Sequence, residues 1–256
     1  IQVLKSIGRS FSSMKWPLTA VVAGSLLASP ATAQETIKIG ALYPLSGAVA
    51  KSGEDTLNAI KLAVEIINGQ HPELNIPFAK TTGLPRLKNA KIELITADHQ
   101  ANPEIGAAEA ERMISQRKVV ALIGTFLSSV ASTVSTVAER NEIPFMTGDS
   151  EATPLTERGY KWLFRTTPTS RDQARDFFVF LRDLNSKTDQ KVKTIAVVHE
   201  NTLWGQEFGK SMAGHFKDFP EFTLAVNIGY QQGTTDVTSE VQRLISAKPD
   251  VVVHAS

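Results

Sequence analysis

A chain of 256 residues with 27 Lys and Arg against 26 Asp and Glu carries a formal charge of +1, and 42% of it is apolar. That balance excludes the basic footprint of a nucleic-acid binder, while the length suffices for one large domain or two lobes with real cores. Cysteine is absent, which excludes a disulfide framework, a thiolate metal site and a lipid-modified cysteine.

The first residues read as a targeting segment. Lys5, Arg9 and Lys15 supply positive charge, residues 18–27 are almost wholly apolar, and Ala31-Thr32-Ala33 offers the small-x-small pattern of a signal-peptidase site, with cleavage before Gln34. The apolar run is shorter than the roughly 20 residues that a spanning helix needs. Met14-Lys15 is a natural start, so residues 1–13 read as an upstream extension of the leader. Without residues 1–33 the chain keeps 24 basic and 26 acidic residues, net −2.

From residue 36 short β-branched runs alternate with amphipathic helical stretches, the pattern of βαβ units on a parallel sheet. Residues 36–42 form a buried strand, Pro44-Leu45-Ser46-Gly47 a turn, and residues 55–68 a helix ended by Gly69. Residues 71–89, broken by Pro and Gly, read as an irregular surface insertion before a strand at 91–97. Asn102-Pro103-Glu104 opens a helix reaching Gln116; a strand at 119–123, a helix at 128–141 and short strands at 143–146 and 162–165 follow. The polar, proline-broken stretch 166–170 marks the crossing into a second lobe, so lobe one spans 34–166 and a partial lobe two spans 167–256. In lobe two, helices at 172–184, 205–216 and 237–246 alternate with strands at 194–199, 222–228 and 250–254. Three strands ending without a covering helix would leave apolar sheet surface in water, so a truncated chain is expected.

Several of these stretches resemble one family, the substrate-binding proteins of branched-chain amino acid and amide ABC transporters, which have the type I periplasmic binding fold. They are Ile39-Gly40-Ala41-Leu42-Tyr43-Pro44-Leu45-Ser46-Gly47 with Ile66-Ile67-Asn68, Leu122-Ile123-Gly124 with Ser128-Ser129 and Val137-Ala138-Glu139-Arg140, and Ile143-Pro144-Phe145. Leu155-Thr156-Glu157-Arg158-Gly159-Tyr160, Phe164-Arg165-Thr166, Ile195-Ala196-Val197-Val198-His199 and Trp204-Gly205 continue the match in order. The resemblance implies an α/β fold of two doubly wound lobes joined by a hinge, the second incomplete here. It further implies a periplasmic, monomeric protein without cofactor. Such a protein closes on an amino acid, amide or small carboxylate and docks on an inner-membrane ABC permease.

Residues 125–129, where a strand feeds a helix, are an independent candidate for the site. Ligands in open α/β sheets bind outside the carboxyl ends of strands, and free amides at a helix start suit a carboxylate or carbonyl. By the resemblance, Ser128 contacts the ligand's carboxylate or amide and Phe126 forms an aromatic wall. Ser128 and Ser129 would equally serve as helix N-caps alone. Thr147, Asp149 and Glu151 align with a ligand-contacting loop in which small or hydroxyl residues are usual; either Asp149 or Glu151 faces an ammonium group, or both are solvated. Trp204 aligns with an aromatic that covers ligand from lobe two, or packs in a core. Ser52 stands where leucine-binding relatives carry an aromatic residue, leaving more room.

Three rival readings exist, of which a DNA-binding regulator with the same two-lobe core would need a helix-turn-helix where this chain has its leader. An enzyme lacks support, since no G-x-G-x-x-G, G-x-x-x-x-G-K-[ST] or G-x-S-x-G motif is present and the five histidines have no metal-ligand spacing. His199, at a strand end, reads as a satisfied polar residue. A periplasmic sensor presenting ligand to a chemoreceptor or membrane kinase keeps the same fold, and the sequence does not separate it from a transport component.

Overall fold

The computed structural model describes residues 36–256. The leader, its cleavage site and the extension at residues 1–13 lie outside the described residues.

Five parallel strands form the first sheet: β1 (Thr36–Tyr43), β2 (Lys91–Asp98), β3 (Ala121–Gly124), β4 (Phe145–Thr147) and β5 (Leu163–Arg165), in the order β2-β1-β3-β4-β5. The pleat sends successive residues of β1 to opposite faces. Leu42 packs in one core with Met113, Leu122, Val134, Phe145 and Leu155, whereas Ala41 and Tyr43 pack in another with Leu57. Helices α1 (Ala50–Asn68), α2 (Pro103–Arg112) and α3 (Ser128–Arg140) supply the covering layers. Asn102 caps α2, its side chain accepting from the amides of Glu104 and Ile105 at 2.8 and 2.9 Å.

The second sheet is β6 (Thr194–Glu200), β7 (Thr223–Tyr230) and β8 (Val251–Ala255), parallel and ordered β7-β6-β8. Its main cover is α4 (Ser170–Lys187) and α5 (Leu203–His215), around a core in which Phe178 lies against Phe216, Phe219 and Phe222. A capping box, Thr169 with Asp172, starts α4. The last helix, α6 (Thr238–Ala247), buries no residue; its Val241 and Ile245 stay exposed, as does Val252 of β8.

Two expectations are corrected, and one element is added. Helix α1 begins five residues before the expected Asp55, with Val49 at its N-cap and no side-chain cap. Gly53 permits this, because a Cβ there would collide with the Pro44 carbonyl oxygen. The helix from Pro103 does not run on as α to Gln116; residues 113–117 form a π turn. The segment after β4 holds an unexpected 3-10 turn, Thr153–Thr156.

The connection between the sheets is tied down. Ser170 at the start of α4 donates its amide to the Glu151 carbonyl at 2.8 Å, its hydroxyl meets the Thr153 hydroxyl at 3.0 Å, and the Arg171 amide donates to that same Thr153 oxygen at 3.2 Å.

Among the described residues, no helix is long and apolar enough to cross a membrane, and no group of three His, Cys, Asp or Glu could hold a metal ion.

Candidate functional site

In parallel sheets the carboxyl ends of the strands all point one way, and the loops leaving them gather into one rim. Here the rims of both sheets meet at a single cavity of about 460 Å³, within the range of small-molecule sites. From the first sheet come Val49 and Ser52 after β1, Phe126, Leu127, Ser128 and Ser129 after β3, and Gly148, Asp149 and Glu151 after β4. The second sheet contributes Glu200, Thr202, Leu203 and Trp204 after β6, then Gln232 and Ser256.

The β3–α3 loop is held rigidly by its own carbonyls. His99, fully buried, lies with Nε2 2.9 Å from the Thr125 carbonyl, so in the tautomer that donates there the ring pins this residue. Burial holds the His99 pKa below the usual imidazole range, which keeps that ring neutral. The Ser150 hydroxyl donates to the Phe126 carbonyl at 3.2 Å, and the Thr125 hydroxyl donates to the Leu127 carbonyl at 2.9 Å. Phe126 adopts a left-handed φ of 74° within this loop, a conformation that needs such support in a non-glycine residue.

Leu127 is the N-cap of α3 and no side chain caps the helix. The reading of Ser128 and Ser129 as caps is therefore corrected. Ser128 is the first helical residue, and its oxygen accepts the Ala152 amide at 3.2 Å, which joins α3 to the acidic loop. The leading amides of α3, with the positive end of the helix dipole, are thus unclaimed by any capping side chain beside the cavity.

Asp149 receives a hydrogen bond from the Tyr43 hydroxyl at 3.2 Å. Burial raises the Asp149 pKa above the usual carboxylate range, with the Tyr43 bond partly opposing it. Tyr43 is itself 1% exposed, and burial followed by the neighbouring carboxylate pushes its phenol far upward, so it remains a donor. Asp98 braces the turn after β1, accepting the Leu45 and Gln100 amides at 2.8 Å each.

On the opposite rim, Thr202 caps α5 through the Gly205 amide at 3.1 Å, and Gln232 Nε2 donates to Glu200 Oε2 at 3.0 Å. A Cβ at Gly205 would strike the Glu200 carbonyl, the same close approach that Gly53 makes to Pro44. Trp204 both packs on the second core and lines the cavity, and its buried Nε1–H has no hydrogen-bond partner. Leu203 reaches across to pack against the core of the first sheet.

Of the residues expected at the site, Ser128, Ser129, Phe126, Asp149, Glu151, Trp204 and Ser52 line this cavity. Thr147 does not: it is fully buried, and its hydroxyl oxygen accepts the Ser150 amide at 3.1 Å, shaping the loop from behind. His199 packs against Gly209 and Gly229 with Nδ1 3.1 Å from the Glu200 carbonyl, outside the lining. Glu200, Thr202, Leu203 and Gln232 were not expected. The signal for Glu200 was present, since it ends a strand that feeds a helix, as Gly124 does before Ser128.

Two parallel-sheet lobes facing one cavity across the carboxyl ends of their strands define the type I periplasmic binding fold. The sequence profile of the family described as periplasmic binding protein matches residues 36–256, and the chain belongs to that family. It is 30% identical over 249 residues to Leu/Ile/Val-binding protein homolog 7 of Brucella suis, covering 95% of this chain and 58% of that protein. The chain thus spans little more than half the length of this curated relative. Among solved structures it is similar to the substrate binding protein of a branched-chain amino acid transporter from Streptococcus pneumoniae in complex with isoleucine. The TM-score is 0.69 at 20% identity, over 86% of this chain and 57% of the other. It is equally similar to the solute binding protein of an ABC transporter from Rhodopseudomonas palustris in complex with benzoate. There the TM-score is 0.71 at 20% identity, over 86% and 55% of the two chains.

Proposed function

We propose that this chain belongs to the periplasmic solute-binding component of an ABC importer, which captures a small amino acid or amide-like ligand between its lobes and delivers it to a membrane permease. One observation carries the reading: the uncapped start of α3 lies at the cavity where the second sheet's rim approaches, with Trp204 on the far side. Amides at a helix start, beside the Ser128 hydroxyl, suit a carboxylate or amide oxygen, and their preorganisation spares the cost of ordering the site on binding. Phe126 and Trp204 supply apolar walls. The relatives' named ligands, from leucine, isoleucine and valine to benzoate, all present a carboxylate. In this reading the protein is a monomer in the periplasm, exported on its leader, with Ser128, Ser129, Phe126, Asp149, Glu151, Trp204 and Ser52 contacting ligand.

The test is a thermal-shift screen of small metabolites, followed by calorimetry on each hit. A ligand that binds only the native state at about 100 times its Kd stabilises it by about 2.7 kcal/mol, a shift well above noise. Binding in this cavity requires that Trp204→Ala weaken the hit. A screen of amino acids, amides and small carboxylates that raises no melting temperature defeats the proposal.

A further inference from the structure

We infer that the ligand carries a cationic group beyond the single ammonium of an aliphatic amino acid, such as a second ammonium or a guanidinium, held among Asp149, Glu151 and Glu200; this rests on the solute-binding reading above. Among the described residues the lining contains these three carboxylates and no Lys, Arg or His. Asp149 and Glu151 come from the rim of the first sheet and Glu200 from that of the second, so negative charge stands on both sides of the cavity. Their existing side-chain partners are neutral: the Tyr43 hydroxyl for Asp149 and the Gln232 amide for Glu200. Arg165, whose guanidinium feels the charge of Glu151, directs its nitrogens to the Ala152 carbonyl and the Thr156 hydroxyl, at 2.9 and 2.6 Å.

A metal ion does not account for the three carboxylates, since among the described residues no such group is placed to hold one. An organic cation does. Its ammonium or guanidinium is larger than a bare metal ion, reaches carboxylates that are spread apart, and is attracted by aromatic rings such as Phe126 and Trp204 of the lining. A simple carboxylate has the opposite balance. The start of α3 contributes only about half a positive charge, less than the three carboxylates of the described lining. An aliphatic amino acid neutralises one carboxylate and leaves the others facing an apolar side chain.

The experiment uses the whole chain and a cationic panel of L-arginine, L-lysine, agmatine and putrescine, with L-leucine and benzoate as comparators. Melting temperature and calorimetric Kd are measured for the native sequence, Asp149→Asn and Glu200→Gln. Both substitutions keep the acceptor that Tyr43 or Gln232 uses, so the fold is retained. A member of the cationic panel is expected to bind at least about tenfold more tightly than either comparator. Each neutralisation should weaken it by about thirtyfold or more, the usual effect of removing one partner of a desolvated charge pair. The inference is overturned if leucine or benzoate binds as tightly as every cation, if Kd changes less than about twofold in both variants, or if no cation binds. A neutral or anionic metabolite emerging from the wider screen sinks the charge assignment and leaves the solute-binding reading intact. No hit of any kind sinks both.

Discussion

Replacing Ser128 by Ala separates the structural work of this residue from its work on ligand. The Ser128 oxygen accepts the Ala152 amide at 3.2 Å, and the two residues are 4% and 0% exposed. Alanine removes the acceptor and strands a buried N–H, a penalty of about 1–3 kcal/mol. Alanine's better helix propensity returns about 0.5 kcal/mol. At about 2–4 °C per kcal/mol for a chain of this size, the melting temperature should fall by about 1–10 °C without ligand. Binding should weaken separately, by about 1.5–3 kcal/mol, if the hydroxyl also meets a charged carboxylate. Ser129→Ala is the control, since that half-buried side chain makes no hydrogen bond among the described residues. It should leave the melting temperature within about 1 °C of the native value, inside the usual range for such changes. Differential scanning calorimetry reads the first effect and titration calorimetry the second. A Ser128→Ala protein that melts with the native one would refute the claim that this bond ties α3 to the acidic loop.

Gly205→Ala should destabilise by about 1–3 kcal/mol through overpacking against the Glu200 carbonyl and weaken ligand binding as Trp204 moves. Gly214→Ala, which meets nothing within 4 Å in the same helix, should instead stabilise by about 0.5–1 kcal/mol; equal urea midpoints for the two variants would contradict this packing. Asn102→Ala should cost about 0.5–2 kcal/mol by uncapping α2, with Asn102→Asp retaining most of the stability in chemical denaturation. Two carboxylates should respond to acid with opposite signs. Burial opposes ionisation of Asp98, but the Ser46 hydroxyl and the Leu45 and Gln100 amides outweigh it and hold its pKa low. Its contribution is present above the ordinary carboxylate pKa of about 4 and is lost as pH falls through the lower folded value. Asp149, raised by burial, contributes stability below that ordinary value and loses it as pH rises through its folded pKa. Asp149→Asn should therefore raise the urea midpoint at pH 7 and Asp98→Asn lower it, and a result of the same sign for both would break the argument.

The alternation of strands and helices was legible because the longer elements show their period, and the first five strands fill one sheet and the last three the other. The start of α1 was not. Lys51-Ser52-Gly53 looks like turn chemistry, and the close approach of Gly53 to Pro44 that admits a helix there joins residues nine apart. In the cavity lining, Ser128 could be read from a strand-to-helix junction, a local signal, whereas Asp149 came with the family resemblance. Thr147 was misplaced because parity along β4 is decided by the sheet: Thr147 and Phe145 turn inward while Met146 is 45% exposed. Gln232 lies on an exposed loop more than thirty residues from its partner Glu200, and no spacing in the chain announces such a pair.

The knot joining Glu151 and Thr153 to the first residues of α4 has a mechanical consequence. The strand of chain that carries two of the acidic groups is also the strand on which the second sheet is hung. Any swing of that sheet about its attachment must either drag the acidic segment with it or break the bonds at Ser170 and Arg171. The acidic segment and the attachment of the second sheet are therefore one part, and a substitution at Ser170 would loosen both together.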